Sequence, residues 1–178
     1  MIITNPDDYG NIDGELVLAI SYRGNRAPVA PDAEKMKYYY EMAAAHGSSA
    51  CAIVLGQQYV RGKILPQDCS KAVYYHSIGS LLNKDANSKE KDQLLVLKER
   101  LIEGALAFDD EVVVTKSCLT EAEAERAVAE SKPAFAAAKA ARDKEKAAHD
   151  ALYNAARQKL PALKAAYEQA IRDSAKSK

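Results

Sequence analysis

Net charge is the first thing this 178-residue chain lacks: its 25 basic and 25 acidic residues cancel, so no global field draws it to nucleic acid or to an anionic membrane. Long apolar runs are missing too. No stretch approaches the ~18 apolar residues of a membrane span, and the chain as given has no secretory apolar region. A processed chain would lack one as well, which leaves both a cytoplasmic and a periplasmic location open. Cysteine is scarce: Cys51, Cys69 and Cys118 have neither the spacing of a disulfide framework nor that of a metal site. They fit a reducing compartment, with one disulfide and a free thiol in an oxidising one as the other arrangement. Glycine is absent from the last 74 residues, all eight falling between Gly10 and Gly104. The first part is therefore punctuated by turns, and the second, rich in Ala, Lys and Glu, has helix-compatible spacing. The length suits one good-sized domain or a short array with an appendage.

What is present is an internal echo at a period of 36 residues. Asp32-x-x-Lys35-Met36-x-x-Tyr39-Tyr40 returns as Asp68-x-x-Lys71-Ala72-x-x-Tyr75-His76. A period in this range is the mark of stacked helix pairs, and such arrays usually bind across a surface built from several units.

Along the chain, residues 1 to 14 read as irregular, with turns at Asn5-Pro6 and from Asn11 to Gly14. Glu15 to Tyr22 is a short apolar run, the first helix of the first pair if it belongs to the array, and Gly24 to Pro31 is the loop after it. Asp32 is placed to cap a helix that runs to Gly47, where a left-handed residue is wanted. Ser48 or Ser49 caps the next, ending near Gly62; Pro66 and Asp68 set up another that fades around Asn83. Tyr39 and Ala43, like Tyr75 and Gly79, stand four apart on one helix face, the small residue allowing close approach of a neighbouring helix. Gly56 costs a helix about 1 kcal/mol relative to alanine, which points to a packing reason.

These residues resemble the Sel1-like repeat family, related to tetratricopeptide arrays. The resemblance is carried by Leu55, Gly56, Tyr59, Gly62, Leu65, Asp68, Lys71, Ala72 and Tyr75, and again by Asp32, Lys35, Tyr39, Tyr40, Ala43, Ala44 and Gly47. It covers roughly residues 15 to 107. Ile64, Ser80 and Asn83 depart from the pattern, and the loop before Asp32 is longer than the family's. A third unit supplies only a helix, approximately Lys89 to Ala107. The resemblance implies an all-α fold: a short α/α superhelical array over 15–107, with capping and long C-terminal helices over 108–178. In the cysteine-rich branch of the family a helix cysteine pairs near the position of Ser80, so serine there leaves Cys51 without that partner; Cys51 and Cys69 are both expected as thiols.

Thr120-Glu121-x-Glu123 is a capping box that opens a helix. Pro133 and Pro161 are each expected to start a helix or to kink one. Between and beyond them Leu152, Ala156, Leu163, Tyr167 and Ile171 form one apolar stripe, enough for a helical hairpin or a long helix docked on the array or on a partner.

Catalytic constellations do not assemble. His46, His76 and His149 are far apart and outside any His-Glu-x-x-His, and the cluster Asp109, Asp110, Glu111 reads as a helix end or solvated loop. Gly62-x-Ile64 and Gly24-x-Arg26 lack the glycine density of a phosphate loop. Lys139, Arg142 and Lys146 read as an ordinary charged helix face. No enzyme, cofactor or metal is expected. Of Tyr38, Tyr39 and Tyr40, helix geometry sends one or two to the core and the third elsewhere. The candidate protein-binding residues are Tyr38, Tyr59 and Arg61, with His76, which replaces the second tyrosine of its unit, as a packing or rim residue. The expected function is a noncatalytic adaptor or inhibitor with a protein partner, a toxin or secreted effector, and no nucleic acid or membrane span. Family roles similar to this include signalling scaffolds, host-contact proteins and immunity partners of secreted toxic enzymes. The alternative is a cell-wall-glycan-binding or enzyme-associated module, which requires aromatic platforms and paired carboxylates in a groove.

Overall fold

The computed structural model describes residues 12–25, 30–83, 89–104, 106–108, 111–114 and 116–176. Its helices are α1 (Ile12–Ile20), α2 (Ala33–Ala45), α3 (Ser49–Arg61), α4 (Cys69–Leu82), α5 (Lys89–Glu103) and α6 (Glu121–Lys176). A π-helical turn, Ser21–Asn25, follows α1, and two short strands, β1 (Leu106–Phe108) and β2 (Glu111–Val114), pair antiparallel between α5 and α6. The expected turns at Asn5-Pro6 lie outside the described residues. Ile12 to Gly14 are helical rather than part of a turn.

The 36-residue echo is structural. Asp32 and Asp68 both cap their helices, accepting from the backbone N–H of Lys35 (3.0 Å) and of Lys71 (2.9 Å). Each also donates its own N–H back to the preceding helical segment, Asp32 to the Tyr22 carbonyl at 2.9 Å and Asp68 to the Tyr59 carbonyl at 3.0 Å. The two tyrosines so anchored stack on the same station of the next helix. Tyr22 lies against Tyr39 with centroids 5.7 Å apart, and Tyr59 against Tyr75 at 5.8 Å, both pairs within 4° of parallel. A lysine ammonium sits over each anchor ring, Lys35 over Tyr22 and Lys71 over Tyr59. Two helix pairs thus repeat one arrangement, α1–α2 and α3–α4.

Ser48 caps α3 by accepting from Cys51 N–H, and Gly47 and Gly62 hold the positive φ values (99° and 66°) that end α2 and α3. At the crossing of α3 and α4 the two backbones approach closely. A Cβ on Gly56 would meet His76 Cδ2 at 2.6 Å and the Ala72 carbonyl oxygen at 3.0 Å, and one on Gly79 would meet Ile53 and the Ser49 carbonyl. Glycine is used at both points because any side chain would force the backbones apart.

Around this crossing Met36, Tyr40, Leu55, Val60, Val73 and Leu101 are fully buried. Leu97 and Leu101 bring α5 to the same core, and Ala124 and Ala127 bring in the start of α6. A second cluster joins Ala44, Ala52, Ile78 and Leu82 to Ala138 of α6. Nearby, Ser131 donates to Ser77 at 2.8 Å in a buried pair. Arg142, read as part of a charged face, donates to the Leu82 carbonyl at 2.8 Å and lies against Gly47.

Three expectations need correction. The helix of the expected third unit, α5, stops at Glu103 instead of continuing to Ala107. Gly104 takes φ 81°, and a Cβ there would overlap the Lys116–Ser117 backbone. The chain therefore turns into the β1–β2 hairpin, where Val112 to Val114 supply a β-branched run. Second, neither Pro133 nor Pro161 starts a helix: both lie, exposed, inside α6, which is helical from Glu121 to Lys176. Third, Cys69 is not a thiol: it is bridged to Cys118, 49 residues away, while Cys51 is a buried free cysteine. The bridge ties the first turn of α4 to the segment that leads into α6.

Two compact units divide the chain, 1–142 and 143–178. Every described side chain from Asp143 onward is exposed, including Leu152, Tyr153, Leu160, Leu163, Tyr167 and Ile171.

Candidate functional site

Within the first unit, α2, α4 and the opening turns of α6 enclose a groove of about 620 Å³, with Tyr59 of α3 at its base. Each wall is placed by a cap. Asp68 fixes the start of α4, so that Lys71, Tyr74 and Tyr75 face the groove from successive turns. At α6 the expected capping box forms: Glu123 accepts from Thr120 N–H at 2.8 Å, and Glu123 N–H donates to Thr120 Oγ1 at 3.3 Å. That box holds the Glu123 carboxyl below its usual range, through the backbone bond first and the hydroxyl bond second. Arg126, Ala127 and Glu130 continue the same face.

The groove is lined by three cations (Lys37, Lys71, Arg126), three carboxylates (Glu41, Glu123, Glu130) and three tyrosines (Tyr59, Tyr74, Tyr75). Tyr75 donates its hydroxyl to Glu41 at 2.8 Å. Burial, reinforced by that carboxylate, raises the Tyr75 pKa far above its ordinary value. Burial also raises Tyr59 and Tyr74, the latter with help from Glu130 and Glu41. All three therefore remain neutral hydroxyls at physiological pH. Chemically the lining offers hydrogen bonds, charges of both signs and aromatic edges, a set suited to recognition.

Of the four residues predicted to bind, Tyr59 alone lines this groove, and at 5% exposure it is a base rather than a contact surface. Tyr38 is 51% exposed on α2 and lies edge-on to Tyr39; Tyr40 is in the core and Tyr39 in the stack. Arg61 ends α3, half-buried. His76 is buried over Gly56, where burial pushes its pKa down to about 4. Sequence reasoning passed over Tyr74, Glu41, Arg126 and Glu130. A signal existed for the first, since Tyr74-Tyr75 repeats Tyr38-Tyr39 at the 36-residue shift; none existed for Arg126 and Glu130, which the α6 packing brings in from elsewhere in the chain.

Among the described residues no group of three His, Cys, Asp or Glu side chains is arranged to hold a metal ion, and no helix is long and apolar enough to cross a membrane. Asp109, Asp110 and Arg26 lie outside the described residues. Comparison with protein-family models, with curated proteins and with solved structures finds no match to this chain. What the fold defines is a predominantly helical, multi-helix protein, broadly consistent with α/α solenoid-type packing.

Proposed function

We propose that this protein is a noncatalytic binding module whose groove between α2, α4 and α6 receives a segment of a protein partner. The observation that carries the reading is the lining itself: α2 and α6 each present charges of both signs, and between them stand Lys71 and the tyrosines of α3 and α4, with the starts of α4 and α6 fixed by caps. Tyrosine and arginine contribute heavily to protein interfaces because they bury large area with little rotamer loss. A glycan platform needs an open ring face, and Tyr59 is covered by Tyr75 and Lys71, so the peptide reading is favoured over the sugar one.

The narrower reading, a Sel1-like adaptor or inhibitor and within it an immunity partner of a secreted toxic enzyme, rests on the sequence resemblance. It predicts a gene for that enzyme beside this one. The groove is tested by affinity capture from the native organism with the full chain as bait, and then by calorimetry on the recovered partner. Arg126→Glu should weaken the complex at least tenfold with unchanged thermal unfolding, and Tyr74→Ala should weaken it as much while also lowering the unfolding midpoint, since Tyr74 packs on the core. Undiminished binding by both variants would reject the groove as the site, and saturable binding of a wall glycan in place of a protein would reject the partner class.

A further inference from the structure

The second unit carries an apolar face with a regular pattern. At 100° per residue, Leu152, Tyr153, Ala156, Leu160, Leu163 and Tyr167 fall within an arc of about 100°. Pro161 falls about 130° from the centre of that arc, so its missing N–H and bulky ring are kept off the face. Inside the stripe, positions 153, 156, 160, 163, 167 and 170 alternate steps of three and four, the spacing of a coiled-coil seam.

The order of large and small residues on that seam is what selects an occupant. Laid antiparallel on a second copy and centred between Pro161 and Ala162, Tyr153 faces Ala170, Ala156 faces Tyr167, and Leu160 faces Leu163. Each layer then has nearly the same volume, so the two helix axes keep one separation. A parallel pair would set tyrosine on tyrosine in two layers and alanine on alanine in two others, overfilled and empty by turns. We propose that α6 residues 152–171 are a homodimerisation surface that packs antiparallel on the same segment of a second copy of this chain.

The available area agrees. Leu152, Tyr153, Leu160, Leu163 and Tyr167 are 60% to 74% exposed, so the stripe holds five large apolar side chains per copy whose surface a second helix would remove from water. Flanking charge adds a specific signature. In the antiparallel register Arg157 meets Lys164 of the second copy, and by symmetry this like-charge contact occurs twice. Such repulsion is screened by salt, so the dimer tightens as ionic strength rises. The margins of the stripe carry Asp150 and Glu168 beside Arg157, Lys159 and Lys164, a mixed edge rather than the uniformly basic one of a helix that lies on anionic lipid.

Sedimentation equilibrium of the full 19.4 kDa chain decides the matter. The expected result is a reversible dimer whose dissociation constant falls several-fold between low and high salt. Arg157→Glu should tighten the dimer at least several-fold at low salt by facing Lys164 with an opposite charge. Leu160→Asp combined with Leu163→Asp should give monomer with unchanged melting of the first unit. Mixed Tyr153→Cys and Ala170→Cys proteins should form the heterologous disulfide in preference to either symmetric one. A monomer at all concentrations, a dimer indifferent to the Leu160/Leu163 pair, a preference for the Tyr153→Cys self-disulfide, or a monomer that binds phosphatidylglycerol vesicles through this face would each overturn the proposal.

Discussion

At Gly56 two opposing effects can be compared. Alanine would recover about 1 kcal/mol of helix propensity, but its Cβ would stand 2.6 Å from His76 Cδ2 and 3.0 Å from the Ala72 carbonyl. The His76 ring can shift, whereas the carbonyl belongs to the α4 backbone. Gly56→Leu should therefore destabilise by about 1 to 3 kcal/mol through overpacking, read as a lowered midpoint in denaturant unfolding; a midpoint at or above that of the parent would show that the crossing has slack. His76 supplies a second test at the same contact. Its Nε2 is buried with no hydrogen-bond partner among the described residues, and burial lowers its pKa from 6.5 to about 4. The unfolded chain takes up this proton near pH 6.5 and the folded chain only near pH 4. Stability from this group is thus complete above about pH 6.5 and declines as pH falls toward 4, by roughly 3 kcal/mol in all. His76→Leu should flatten the stability–pH curve across that window relative to the parent, and parallel curves would place the titration elsewhere. That Gly56 needed a packing reason was legible from its cost in a helix; that His76 was the neighbour was not, because the pairing depends on how α3 crosses α4.

Among elements, the helices of the two repeated pairs were the legible part, since their signals are local. Asp32, Ser48, Asp68 and Thr120 all cap where a side-chain oxygen ahead of a helical stretch predicts it. The β1–β2 hairpin was missed because the end of α5 is decided by Gly104 meeting the Lys116–Ser117 backbone, a contact between segments. The groove was half-legible for the same reason: Tyr59, Lys71 and Tyr75 lie on the repeat, while Arg126 and Glu130 arrive by tertiary packing. The Cys69–Cys118 bridge was invisible in spacing because it joins α4 to the segment ahead of α6, across α5 and the hairpin. Closing a loop of this length removes enough unfolded-state entropy to stabilise by about 2 to 4 kcal/mol. Cys69→Ala with Cys118→Ala should cost that much in thermal or denaturant unfolding. Alkylation in denaturant without reductant should label one thiol, Cys51, and after reduction three; three labels before reduction would show the bridge absent. A bridge that persists fits an oxidising rather than a reducing compartment.

On the scale of the whole chain, α6 has two different jobs on either side of Arg142. Ala124, Ala127, Ser131 and Ala138 are buried in the first unit, and Arg142 holds the Leu82 carbonyl. Past that point no described side chain is buried. The first 22 residues of α6 pack on the two helix pairs, with Ala124, Ala127 and Ala138 in their core clusters, and so cover them as a terminal cap would. Length alone would have assigned the whole region from 119 onward to capping, but burial limits that role to 121–142. The two truncations should therefore behave differently. A chain ending at Arg142 should keep the cooperative unfolding transition of the first unit, with its midpoint shifted by no more than a few degrees. One ending at Cys118 exposes Ile78, Leu82 and the Tyr74–Tyr75 face, removes one wall of the groove, and should unfold at least 10 °C lower, since for a domain of this size 1 kcal/mol moves the midpoint by about 2 to 8 °C. It should also bind a hydrophobic dye such as ANS. Equal losses from both truncations would mean that residues 143–178 share in the fold of the first unit, and equal tolerance of both would mean that the array needs no cap.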